Sequence, residues 1–360
     1  MTLVKFTVFS KIKRRFYKHL WLLRPVFFIS LILVATGILI FLIPFIFNLI
    51  KQLSKKSNIL TSWINPSIVN LDSSRGRTNI LLLGIGGGEH PGADLTDSLM
   101  LISINLDTVD TVLLSLPRDI WVESFQAKLN TAYHYGEEKK PGKGLILAQS
   151  AVSEIINQPI HYAVLLNFSG FEKAVDLISG LDINVPHGFT DNKYPIPGKE
   201  NVQPESDRYQ TVAFSSGLQH MDGATALKYI RSRNAQGEEG TDYARAQRQQ
   251  RVILAFKDKL FTPRIILNPK KIKALSQIFS ESVITNLSSD TYSDLIKLAL
   301  RINKNNIRTG ILDQGSSNED IPPLLYNPPV SFYGQWVLRP VNNDWQPVFN
   351  YIEEIIYQNQ

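Results

Sequence analysis

The longest apolar run in the chain, VFFISLILVATGILIFLIPFIFNLI (26–50), contains no charged residue; Arg24 precedes it and Lys51 follows it. A helix needs roughly 20 apolar residues to cross a bilayer, so the pattern predicts one transmembrane helix over 25–50. Pro44 stands near one end, where a kink is tolerated. Beyond the run, 51–76 reads as a polar linker. Short apolar stretches bounded by turn residues then follow: NILLL (79–83), SLMLISIN (98–105), TVLLSL (111–116), YAVLLNF (162–168) and LDINV (181–185). They predict buried strands. Between and after them, GLILAQSAVSEIIN (144–157), 168–179 and DGATALKYIRSR (222–233) have helical spacing, with Asp222 in the N-cap position and Gly180 as a C-cap. A further helix starts at Asp242, also read as a cap, and weaker helical segments occupy 271–279, 290–303 and 345–357. The alternation predicts an α/β fold, a central β-sheet core flanked by helices on both faces and preceded by the transmembrane helix.

The formal net charge of +6 belongs to the N-terminal segment, because residues 1–56 hold ten Lys or Arg and no acid. The remainder carries 28 basic and 32 acidic residues, which argues against a general nucleic-acid binder. Seven basic residues precede the apolar run and three follow it closely. The positive-inside rule therefore places 1–24 in the cytoplasm as a basic tail and the main domain outside a cell membrane crossed once. A cleaved signal peptide would have a shorter apolar core and a small-residue cleavage site, neither of which is present. The chain has no cysteine, so disulfides play no part.

The segment DYARAQRQQR (242–251) puts three arginines ahead of the apolar run VILAF. At 100° per residue, Arg245, Gln249, Val252 and Phe256 share a narrow stripe with Asp242 beside it, Arg248 flanks the stripe, and Arg251 points away. Arg245 thus extends toward the N-terminus the face that Val252 and Phe256 bury. A buried arginine needs a counter-charge, which Asp242 alone could supply as a structural ion pair. Other arginines stand nearby in pattern, however. YIRSR supplies Arg231 and Arg233, SLPRDI supplies Arg118 at the end of a predicted strand, and KLNTAY supplies Lys128, Asn130 and Tyr133. Strand termini are where α/β folds build their sites, and guanidinium forks match phosphate oxygens bidentately. A ring of them predicts a site for a multiply charged anion, with a diphosphate the best fit.

LTDSLMLISIN, SLPRDI, KLNTAYHYG, VLLNFSGFEKAVDLISGLDINV, LQHMDGATALKYIRSR and DYARAQRQQRVI together resemble the LytR–CpsA–Psr family, in that family's order over about 79–260. The resemblance implies an extracytoplasmic phosphotransferase that moves a glycopolymer from a polyprenyl-pyrophosphate carrier to a hydroxyl of peptidoglycan with the aid of Mg²⁺ or another divalent cation. By motif position it gives pyrophosphate binding to Arg118, Lys128, Arg231, Arg233, Arg245, Arg248 and Gln249. Asp97 takes the metal-linked, hydroxyl-activating position, and Asp119 that of a residue orienting Arg118. It also implies an apolar pocket for the prenyl chain, with the helices after Pro141 as candidate walls. A catalytic domain over 77–262 and a C-terminal extension over 263–360, packed on the core, complete the expected organisation.

Two positions depart from the family pattern. Gly86 stands where the family often has an acid after the first strand, and Leu95 where it has an arginine. Glu89, His90 and Asp94 are the candidates to replace the missing metal ligand. GIGGGEHPG (84–92) lacks the GK[ST] of a nucleotide-binding P-loop, and His90, His134 and His161 are not at metal-ligand spacing. Tyr133, Tyr135, Phe168 and Phe171 read as core. The rival functions are a relative that binds or hydrolyses polyprenyl pyrophosphate without polymer transfer, and a membrane-tethered envelope regulator.

Overall fold

The computed structural model describes residues 69–88, 92–199, 201–303, 306–312 and 323–358. The basic tail, the expected transmembrane helix and most of the linker lie outside these, as do Glu89 and His90. Among the described residues no helix is long and apolar enough to cross a membrane.

Three strands open the fold: β1 (Arg77–Ile85), β2 (Thr96–Asn105) and β3 (Thr111–Ser115). They form an antiparallel meander, because the connections at 86–95 and 106–110 are too short for a helical crossover. A two-residue ladder of β4 (Trp121–Val122) and β5 (Ala127–Lys128) precedes helices α1 (Ala132–Lys139) and α2 (Gly144–Ile156). Strand β6 (Tyr162–Asn167) then pairs parallel to β1 and runs straight into α3 (Phe168–Leu177), whose first turn is capped by the Asn167 side chain accepting from the Gly170 N–H at 2.7 Å.

The register places Ala163, Leu81, Leu101 and Leu114 side by side across four strands. Period-two alternation sends these to one face, where α2 and α8 (Gln346–Tyr357) cover them, with Ala148, Val152, Ile352 and Ile356 fully shielded. The other face presents Ile80, Ile104 and Tyr162 to Leu298 and Ile302 of α7 (Ser289–Arg301) and its end. Helices therefore cover both faces, as the pattern predicted. The sheet itself is mixed.

A second core forms beside the sheet. The ladder of β7 (Leu181–Val185) with β10 (Gly217–Met221) and that of β8 (Phe189–Pro195) with β9 (Tyr209–Phe214) pack against α3, α4 (Gly223–Arg231) and α5 (Asp242–Leu260) around Val175, Ile183, Phe214, Tyr229 and Val252. Asp222 caps α4 as predicted, accepting from the Thr225 N–H at 2.8 Å. The α5 cap is Thr241 rather than Asp242, its hydroxyl accepting from the Ala244 N–H at 3.2 Å, which leaves the Asp242 carboxylate for Arg245.

After α6 (Pro269–Ser282), residues 263–360 supply β11 (Val283–Thr285) and β12 (Ile307–Ile311), the two edge strands of the six-stranded order β11-β6-β1-β2-β3-β12. Val69–Gln360 is one compact unit. The helix expected as a prenyl wall, α2, spends its apolar face on this sheet.

Candidate functional site

Strands β1, β3, β6 and β12 run in one direction, so their C-terminal ends share one edge of the sheet. Arg118 follows β3 there, Phe168 follows β6, and Asp97 and Ser98 open the antiparallel β2. Above this edge lie the C-terminal end of α4 with Arg231, the next turn with Arg233 and Asn234, and the first turns of α5 with Arg245 and Gln249. Together they line a cavity of about 350 Å³ whose remaining wall comes from Lys193, Pro195 and Tyr209. Among the described lining residues four arginines and one lysine face a single carboxylate, Asp97.

The side chains are held in place by neighbours. Arg118 donates from Nη1 to Asp97 Oδ1 at 2.5 Å and from Nε to Asp119 Oδ2 at 3.3 Å. Burial works against its charge, but the two carboxylates outweigh that cost and keep its pKa above the ordinary arginine value. Arg231 stacks over the Phe168 ring, 4.9 Å from its centroid, and stands 5.9 Å from that of Tyr194. Gly84 leaves space for this ring, since a Cβ there would lie 3.2 Å from Ser98 and 3.4 Å from Phe168. Gln249 Oε1 accepts from the Ser98 hydroxyl at 3.0 Å.

Arg245 sits among like charges. Its side chain is 11% exposed and pairs with Asp242 at 2.9 Å. Burial lowers its pKa, Asp242 opposes that, and the like charges of Arg118 and Arg233 lower it further. A negative charge placed in the cavity would offset the repulsion among Arg118, Arg233 and Arg245.

Two expected binding residues are elsewhere. Arg248 is fully buried under the cavity wall, donating to Glu239 Oε2 at 2.8 Å, the Glu239 carbonyl at 2.9 Å and the Ser232 carbonyl at 2.6 Å, with its guanidinium 4.6 Å from the Phe189 ring centroid. Three residues, about 300° on a helix, separate it from Arg245, which rotates it off the cavity stripe and into the second core; it braces the turn between Arg231 and Arg233. Lys128 also falls behind the cavity, its Nζ donating to Asp119 Oδ1 at 2.9 Å. Asp119 is only 8% exposed, and a buried carboxylate between two cations is satisfied where a singly paired one is not. Asp119 thus contacts Arg118 from behind the cavity.

Of the expected metal set, only Asp94 and Asp97 lie among the described residues. Asp94 turns to His134, its Oδ2 lying 2.6 Å from Nδ1, and Asp97 has Oδ1 engaged by Arg118. Among the described residues no three His, Asp or Glu side chains converge, and Gly86 contributes no carboxylate. Glu89 and His90, the other candidate ligands, lie outside the described residues.

The sequence profile described as the LytR_cpsA_psr family matches residues 45–321. The chain belongs to this family. It is 30% identical over 240 residues to the polyisoprenyl-teichoic acid–peptidoglycan teichoic acid transferase TagU of Enterococcus faecalis, covering 65% of this chain and 68% of that protein. It is 27% identical over 243 residues to TagT of Bacillus subtilis, a protein of the same description, covering 63% and 69%. The fold is similar to the crystal structure of B. subtilis TagV, with a TM-score of 0.54 at 20% identity over 79% of this chain and 98% of that one. For this family member, sequence reasoning missed Lys193, Tyr209 and Asn234, since they lie outside the recognisable motifs. The readable signal was the alternation in FTDNKYP and YQTVAF, which marks the hairpin that carries the first two.

Proposed function

We propose that this family member is a membrane-anchored, extracytoplasmic phosphotransferase that moves a glycopolymer from a polyprenyl-pyrophosphate carrier to a peptidoglycan hydroxyl. One observation carries the reading. Cations from four separate stretches of chain, at Arg118, Lys193, Arg231 with Arg233, and Arg245, line one cavity of about 350 Å³ at the sheet's C-terminal edge. The named activity of the teichoic acid transferases similar to this chain supports it, and the apolar run 26–50 supports the anchor.

In this reading the arginines hold the diphosphate and neutralise its non-bridging oxygens. The acceptor hydroxyl attacks the phosphorus bearing the sugar, and its proton passes to the Asp97 carboxylate. The bond from that phosphorus to the bridging oxygen breaks, and prenyl phosphate leaves with its new charge against the guanidinium groups. Arg118 ties Asp97 to the anion site, so base and phosphate contact keep one geometry.

The full-length chain in detergent, given a prenyl-diphosphate-linked sugar polymer and peptidoglycan, tests the proposal. Polymer appearing on peptidoglycan with release of prenyl phosphate is the expected result. Free sugar phosphate without transfer assigns the chain to hydrolysis instead, a reading favoured by Gly86 and Leu95, and tight binding without turnover assigns it to a receptor. Asp97→Ala is expected to lower turnover by about a hundredfold or more with a smaller loss of donor binding; equal losses remove the base role.

A further inference from the structure

The wall opposite the recognised motifs is a hairpin with an irregularity. In the β8/β9 ladder Asp191 pairs with Val212 and Tyr194 with Gln210, so β8 takes one residue more than β9 over the same step. Such a bulge re-aims a side chain, and here the displaced residues are Asn192 and Lys193. Lys193 is exposed and lines the same cavity as Arg118, Arg231, Arg233 and Arg245.

Beneath the bulge lies the carboxylate of Asp191, with no exposed surface. Its Oδ1 accepts from the Lys193 N–H at 2.9 Å, and its Oδ2 from the N–H groups of Arg233 at 3.1 Å and Asn234 at 3.2 Å. Asn234 closes the loop by donating from Nδ2 to the Lys193 carbonyl at 3.1 Å. A buried carboxylate is costly, and this one is met by three backbone amides rather than spent on a hydrophobic contact. One group therefore fixes the backbone of Lys193 and the backbone of Arg233 relative to each other.

We propose that Lys193 is a further substrate-binding cation of the anion site, and that Asp191 is the positioning residue that sets Lys193 and Arg233 at a fixed separation for a diphosphate. The proposal rests on the diphosphate reading of the cavity and adds to it a wall that carries none of the motif arginines.

Calorimetric binding of farnesyl diphosphate to the full-length chain in detergent tests it, with Arg245→Ala as the reference. Lys193→Met is expected to weaken binding about tenfold at unchanged melting temperature, and Lys193→Arg to restore it. Asp191→Asn keeps the size of the side chain but presents one donor where an acceptor is needed, and should weaken binding at least as much. Its loss and that of Lys193→Met should be less than additive in the double variant, because both act through the same lysine. Wild-type affinity in Lys193→Met, with binding lost in Arg245→Ala, overturns the proposal and leaves the anion site standing. Wild-type affinity in both overturns the anion site itself, and this proposal with it. Additive losses in the double variant overturn the positioning role of Asp191; the surface substitution Lys193→Met tests the binding role even where Asp191→Asn fails to fold.

Discussion

Arg245 and Arg248 stand three positions apart on one helix, and their surroundings give them different work. Arg245 has its guanidinium at the cavity with one exposed partner, Asp242, whereas Arg248 has no exposed surface and holds Glu239 and the Ser232 carbonyl. Removing Arg248 strands a buried carbonyl and takes the counter-charge from Glu239. Arg248→Ala is therefore expected to cost about 3–5 kcal/mol of stability in denaturant unfolding. Arg245→Ala removes a guanidinium that burial and like-charged neighbours oppose, so it should cost less stability than Arg248→Ala while abolishing diphosphate binding. Equal destabilisation by the two would mean that Arg245 is structural as well. The helical stripe in the sequence already set Arg248 aside from Arg245, but the motif it shares with the family pointed to phosphate. Angle on a helix is local information; what lies opposite that angle is not.

At the scale of elements, the site depends on how closely α4 packs on α3. A Cβ at Gly223 would lie 2.3 Å from the Glu172 carbonyl oxygen, and the Gly223 N–H donates to Asp176 Oδ1 at 2.7 Å. Gly223→Ala must push the start of α4 away, and with it Arg231 at its far end. A loss of about 1–3 kcal/mol is expected, together with weaker diphosphate binding; a melting temperature and affinity equal to wild type would show that α4 tolerates the shift. The approach to β6 carries a pH-sensitive joint. His161 Nδ1 accepts from the Asn79 N–H at 2.9 Å, and burial lowers the His161 pKa below 6.5. The folded state then binds fewer protons than the unfolded one. Its contribution to stability is complete above pH 6.5 and is lost as pH falls below that value toward the lower folded pKa. The melting temperature should drop between about pH 7.5 and about pH 5.5, and His161→Asn, which keeps an acceptor, should flatten that part of the drop. Parallel declines in the two proteins would place the sensitive group elsewhere.

Across the whole molecule, the apolar runs at 79–83, 98–105, 111–116, 162–168 and 181–185 all became strands, and four of them form the centre of the six-stranded sheet. Each announces itself as a short apolar run bounded by turn residues and needs no partner to be recognised. Strands β11 and β12 were not legible, since three and five residues of ordinary polarity become strands only because the sheet has open edges to pair with. The same limit hid Gln250. This buried amide donates to Ser115 Oγ at 3.0 Å and the Gly310 carbonyl at 2.9 Å, pinning α5 to β3 and β12 across 135 and 60 residues of chain. The proposed anion site was legible in its arginines, which stand in recognisable motifs, and illegible in Lys193 and Asp191, which a bulge in one hairpin brings to the turn after α4. What the sequence determined by itself is whatever a short segment decides: the period of each strand and helix, the cap at Asp222, the apolar run 26–50 and the types of charge available. Which charges meet is a matter of long-range packing. The tertiary structure alone placed Arg118, Arg231, Arg233, Arg245 and Lys193 around one cavity, buried Arg248 beside it, and moved Asp94 to His134, because burial and counter-charge are properties of neighbours that the chain brings from far away.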